Sequence, residues 1–143
     1  MPTTAPTDEP QPYEEIPYDF LVHPEIHPVR LQAAAALRGL RSATVARARV
    51  LDLGCAEGRQ LLSLAESYPS THCVGVDLGA EHIRTAKSEA AMLSIANIEF
   101  IEGDATAIGS ELGKFDYITA HGLFSWVPQE LQPRIIDVIK RLL

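Results

Sequence analysis

From Val50 to the end of the chain, short apolar runs alternate with segments whose apolar residues recur at three- and four-residue steps. A short unbroken run suits a strand buried on both faces, and the three-to-four spacing suits a helix with one buried stripe. Their alternation predicts a parallel sheet with crossover helices, a doubly wound α/β fold. Strands are expected over 50–53, 73–77, 98–101 and 115–120. After the first strand, a helix over 59–68 carries Leu61, Leu64, Ala65 and Tyr68 on one stripe, and Pro69 stops it. After the second, Ile83, Ala86, Ala90 and Leu93 form a similar stripe. Residues 105–112 are too few for more than a turn or two of helix. Pro128 begins a turn, and Pro133 opens a last helix with Ile135, Ile139 and Leu142 along one side. No internal repeat is visible.

Ahead of Val50 the pattern changes. Residues 1–17 hold Pro2, Pro6, Pro10, Pro12 and Pro17 among polar and acidic groups, a composition expected of a flexible tail. An apolar cluster at Tyr18, Phe20, Leu21 and Val22 follows, and His27-Pro28 leads into a helix. Pro28 suits a first helical turn, where its missing N–H costs nothing, and Gly39 suits the stop. The expected organisation is a tail over 1–17, an N-terminal helical segment over 18–49 and an α/β domain over 50–143. Arg30, Arg38, Arg41, Arg47 and Arg49 fall between Ile26 and Leu51 with no acid among them, and read as a solvated face and loop ahead of a docking surface for an acidic partner.

A chain of 143 residues, 46% apolar and 22% charged, is one ordinary globular domain's worth. The formal net charge of −7 argues against a nucleic-acid partner held through phosphates. Cys55 and Cys73 have no zinc-type spacing around them and read as buried reduced thiols, so no metal site is predicted. The N-terminus lacks the basic and apolar regions of a leader, and no run approaches the ~20 apolar residues of a membrane span. A cytoplasmic protein is expected.

The candidate chemistry begins at Asp52-Leu53-Gly54-Cys55-Ala56-Glu57-Gly58. An apolar strand that ends in glycines and turns at once into a helix brings bare backbone and free N–H groups against a ligand at the carboxyl edge of the sheet. Asp52 is unusual inside an apolar strand unless a cation or good donors meet its charge, which an amine-bearing ligand would do. The spacing G-x-A-x-G differs from the G-x-G-x-x-G that accommodates a dinucleotide pyrophosphate, and so disfavours a nicotinamide oxidoreductase. Asp77 ends the second strand, 23 positions after Gly54, where an acid can hold the two hydroxyls of a ribose or cap the next helix. Asp104 ends the third strand, as an acceptor for an adenine amino group or as a turn aspartate.

These residues resemble the first motifs of the class I S-adenosylmethionine-dependent methyltransferases. The run from Gly113 to Pro128, with His121-Gly122-Leu123-Phe124-Ser125-Trp126-Val127-Pro128 at its end, narrows the likeness. It is similar to the signature F-G-K-F-D-Y-I-x-x-H-G-V-Y-S-W-V-P of a bacterial family in which a methyltransferase regulatory domain follows the catalytic one. That family includes protein lysine methyltransferases, and the likeness covers roughly residues 13–143. The resemblance implies a class I (Rossmann-like) fold with S-adenosyl-L-methionine as cofactor. It implies a cofactor site of Asp52, Gly54, Cys55, Ala56, Gly58, Asp77, Leu78, Asp104, Ala105 and His121. His121, Ser125 and Trp126 are implied as the catalytic side, and the methyl acceptor is a protein or a small molecule. His121 would act as a general base or bond a backbone carbonyl; Trp126 would wall the methyl pocket or be a core aromatic.

Two departures stand out. The family's C-A-S-G-G is Cys55-Ala56-Glu57-Gly58-Arg59 here, which puts a negative charge at the cofactor's entrance, and its D-L-S is Asp77-Leu78-Gly79. The fold also continues with further strands in that family. This chain is therefore expected to hold the first four strand units of a truncated domain, with Tyr117, Ile118 and the stripe from Ile135 to Leu142 partly bare and self-association through an open edge. A non-catalytic cofactor-binding module is the alternative to an enzyme.

Overall fold

The computed structural model describes residues 22–143, so the tail expected over 1–17 lies outside the described residues, as do residues 18–21. Four strands form one parallel sheet: β1 (Arg49–Leu53), β2 (His72–Asp77), β3 (Ile98–Glu102) and β4 (Tyr117–Thr119). Their order is β3-β2-β1-β4, so the chain winds outward from β1 in one direction and returns to its other side. The crevice at that reversal, outside the strands' carboxyl ends, is where this architecture receives ligands.

Helices cover both faces, and alternation along the strands assigns the faces. Val50 and Cys73 point to the layer of α2 (Arg59–Ser67) and α3 (Ala80–Met92), where Leu61, Leu62, Leu64, Ile83 and Ala86 are buried. Leu51, Leu53, Val74 and Val76 point to the opposite layer with Ile135, Val138 and Leu142 of α5 (Gln132–Leu142). The N-terminal segment contributes α1 (Pro28–Leu37), with Pro28 in its first turn and Gly39 left-handed just past its end.

Several expectations need correction. The stripe of the last helix is not bare: Ile135, Val138 and Leu142 are fully buried against the sheet, and Tyr117 is buried with its hydroxyl bonded to the Ala43 carbonyl. Ile118 and Ile139 stay partly exposed, as expected, and β3 and β4 are the sheet's edges. Val138 takes the interior place given to Ile139, because the buried set steps by three and then four residues. Leu93 is exposed, since α3 ends at Met92 and Ser94 turns left-handed with φ 55°. The fourth strand is shorter than expected, and a helical turn, α4 (Leu123–Trp126), adds to the expected elements. No helix among the described residues is long and apolar enough to cross a membrane.

Candidate functional site

The turn after β1 is tied to β2 by backbone. The N–H groups of Gly54 and Cys55 both donate to the Val76 carbonyl, at 2.8 and 3.1 Å, and Ala56 N–H donates to Asp77 Oδ2 at 2.8 Å. That bond holds Ala56 in a left-handed conformation, φ 48°, which an alanine rarely adopts. Gly58, at φ 71°, then starts α2 with no side-chain cap, so the first N–H groups of the helix are left for other acceptors. Gly58 also has no room for a side chain, because a Cβ there would overlap the Phe100 ring.

The loops at the carboxyl edge enclose a cleft of about 480 Å³. All ten residues that the resemblance places around a cofactor border it: Asp52, Gly54, Cys55, Ala56, Gly58, Asp77, Leu78, Asp104, Ala105 and His121. Asp52 is 5% exposed, and its Oδ1 accepts a 2.7 Å bond from the Thr119 hydroxyl. Burial pushes its pKa up to about 6, which the Thr119 bond opposes and the charge of Asp77 reinforces. Asp77 accepts from Gly79 N–H at 2.8 Å as well as from Ala56, so it organises both turns, and His82 Nδ1 lies 3.5 Å from its Oδ1. Each carboxylate oxygen can accept a further bond. Asp104 is exposed, and its Oδ1 caps Thr106 N–H at 2.8 Å.

Burial pushes the Cys55 thiol well above its ordinary range, with the charges of Asp52 and Asp77 adding to the shift. Both cysteines are free and buried, as expected of reduced thiols. The Glu57 charge does not stand alone at the entrance. Its carboxylate accepts from Arg59 Nε and a terminal guanidinium nitrogen at 3.2 and 3.1 Å, so the two departures from C-A-S-G-G offset one another.

Trp126 lines the cleft and is 49% exposed, which is not the position of a core aromatic. Ser125, expected beside it, does not line the cleft. Residues three apart share a face of so short a helix, so Leu123 and Trp126 turn inward while Ser125 is left exposed. Among the described residues, the His121 ring packs on His23, with centroids 4.1 Å apart.

His23, Ile26, Gln60 and His82 border the cleft without having been singled out from sequence. Gln60 is notable. Its Oε1 accepts from His23 N–H at 2.8 Å, while its buried Nε2 has no partner among the described residues. Its place two residues after Gly58 was a usable signal, whereas nothing in the sequence joins His23 to His121.

Against this geometry, comparison with known proteins gives a consistent result. The family described as "Methyltransferase domain" matches residues 45–143. An uncharacterized protein of Rickettsia prowazekii is 39% identical over 130 residues, 91% of this chain and 24% of that protein. A second uncharacterized protein of the same organism is 35% identical over 131 residues, 92% of this chain and 52% of its own length. The chain thus spans about a quarter and about half of these relatives. PKMT2 from Rickettsia typhi, solved in complex with AdoHcy, matches with a TM-score of 0.85 and 37% identity over 89% of this chain and 24% of that one. An S-adenosylmethionine-dependent methyltransferase from Geobacter sulfurreducens, in complex with S-adenosyl-L-homocysteine, matches with a TM-score of 0.58 and 27% identity over 85% of this chain and 45% of that one.

Proposed function

The chain belongs to the methyltransferase-domain family and has its class I α/β fold, and on that premise we propose that it binds S-adenosylmethionine in this cleft and transfers its methyl group. The observation that carries the reading is the convergence of Asp52, Asp77 and Asp104, from three successive strand ends, on one cleft with the Gly54–Gly58 turn. Its volume lies within the range of small-molecule and cofactor sites.

The residues fit the cofactor's polarity from end to end. Asp52, buried beside a single hydroxyl donor, is suited to a ligand ammonium, and the bare backbone of Gly54, Cys55, Ala56 and Gly58 to the methionine portion. Gln60 Nε2, without a partner among the described residues, offers a donor for a carboxylate. Asp77 keeps acceptor capacity for the ribose hydroxyls. Asp104 can accept from the adenine amino group between the apolar side chains of Leu78 and Ala105.

When bound, the cofactor supplies a methyl group on a sulfonium, an electrophile that needs an in-line nucleophile. The protein's part is then positioning. His121 and Trp126 border the cleft beside the β4 end, where the acceptor would approach: Trp126 as a wall and His121 as a ring nitrogen able to take the acceptor's proton. A protein lysine is the acceptor that the resemblance favours, and the buried reduced thiols agree with a cytoplasmic setting.

The test is calorimetric titration of S-adenosylmethionine into the chain and its Asp77→Ala variant, beside an isotope methyl-transfer assay on candidate proteins. Losing ribose contacts should weaken binding about tenfold to a hundredfold. Unchanged affinity in a folded variant would sink the assignment, and binding without transfer would favour a cofactor-binding module.

A further inference from the structure

We infer that His23, Glu25 and His121 form a binding site for a first-row divalent cation of the zinc class at the mouth of the cleft. Their ligand atoms all lie within 4.8 Å of one another, although His121 is 98 positions from His23. His23 Nδ1 and Glu25 Oε1 are already 3.1 Å apart, and the two imidazoles lie 4.1 Å apart between centroids with their planes tilted by 42°. Donors bound to one zinc ion at ~2 Å sit about 3 to 3.5 Å from each other, so a shift of roughly 1 Å by partly exposed side chains completes the site.

The backbone supports the arrangement. A 3-10 turn over Pro24–Ile26 puts Glu25 beside His23, and the His23 N–H is fixed by Gln60 Oε1 at 2.8 Å. On the other side, His121 follows the end of β4 directly. Two imidazoles and one carboxylate select zinc, cobalt or nickel over magnesium or calcium, which prefer oxygen donors alone. Three protein ligands also leave a coordination position for water or a ligand. Both thiols are buried and neutral, so they do not compete for the ion.

A bound cation would cross-link the segment ahead of α1 to the β4 end and close that side of the cleft. It would also occupy His121. The site does not depend on the cofactor reading, because its ligands and its test need no S-adenosylmethionine.

The test is titration of zinc chloride into the full chain by calorimetry, with cobalt as a spectroscopic probe. One equivalent should bind and raise the melting temperature, and His23→Ala or His121→Ala should each weaken binding tenfold or more. His72→Ala, at an exposed histidine outside the cluster, should leave it unchanged. Far-UV circular dichroism checks that each variant folds, and Glu25→Gln at an exposed position offers a milder change. Cobalt should give visible bands without thiolate charge transfer. The inference is overturned if the folded His23→Ala/His121→Ala double variant binds zinc like the parent, if cobalt reports thiolate ligands, or if the parent binds neither ion.

Discussion

Thr119 and Asp52 are register partners on β4 and β1, and the Thr119 hydroxyl donates to Asp52 Oδ1 at 2.7 Å in the interior of the sheet. That bond is what the described structure offers a buried carboxylate, and it only partly offsets the effect of burial. A pKa pushed up to about 6 marks Asp52 as a charge held ready for a cation that the described residues do not provide.

Stability should therefore depend on pH through Asp52. Its folded pKa of about 6 exceeds the ordinary 3.8, so in that window the folded state keeps a proton that the unfolded chain releases. This contribution is fully present below about pH 4 and lost as pH rises through 6, a change on the order of 3 kcal/mol. Urea unfolding of parent and Asp52→Asn at pH 4 and pH 7 should show the difference shrinking toward low pH, with the variant the more stable at pH 7. Equal pH profiles would show that Asp52 titrates normally.

Gly58 and Gly39 separate steric closeness from backbone strain. Both are left-handed, at φ 71° and 72°, but a Cβ on Gly58 overlaps the Phe100 ring, while one on Gly39 meets nothing within 4 Å. Gly39→Ala should cost about 1 kcal/mol from strain alone. Gly58→Ala should cost about 2 to 4 kcal/mol, because overpacking adds to the strain. Denaturant midpoints of the two variants give the comparison, and similar losses would mean that Phe100 yields freely.

The strands, their parallel pairing and the cleft's acids were legible because each depends on local pattern: apolar runs, glycines at a strand end, an acid at the last strand position. What was not legible depends on contacts between distant positions. The apposition of His23 and His121 leaves no trace in spacing. The outward turn of Ser125 leaves no trace either, because a single helical turn has too few residues to show a period, and the inward face of α4 is decided by Leu123 packing near Gly54. The α5 stripe was expected to be partly bare because the family's fold carries more strands, yet Leu51, Leu53, Val74 and Val76 already bury Ile135, Val138 and Leu142. The pairing of Glu57 with Arg59 likewise depends on the geometry of the turn.

Asn97 is another residue whose role lies in geometry. Its Nδ2 faces the carbonyls of Ala65, Tyr68 and Thr71 at 3.1, 3.1 and 2.7 Å, closing the end of α2 onto the start of β3. Asn97→Ala should cost roughly 2 kcal/mol or more, since carbonyls at a helix end lose their donor. Asn97→Asp should cost more, because a carboxylate would face the same oxygens. Thermal melts of both variants check this; an Asn97→Asp protein as stable as the Asn97→Ala one would refute the donor role.

Binding of S-adenosylmethionine should release a proton from Asp52 at mildly acid pH. In the free protein burial favours the protonated acid below about 6, whereas an ammonium beside it favours the carboxylate, so the bound pKa falls. Affinity should then rise with pH between 5 and 6, by at most about tenfold per unit, and level off above 6. Below pH 7 the cofactor's amine stays charged, so its own titration does not contribute in that interval. Calorimetry at pH 5.5 in two buffers of different ionisation enthalpy measures the released proton directly. Asp52→Asn should abolish the release and weaken binding at pH 7, because the amide carries no charge to pair with the ammonium. Proton release that persists undiminished in Asp52→Asn would place the titrating group elsewhere and remove Asp52 from the cofactor's ammonium.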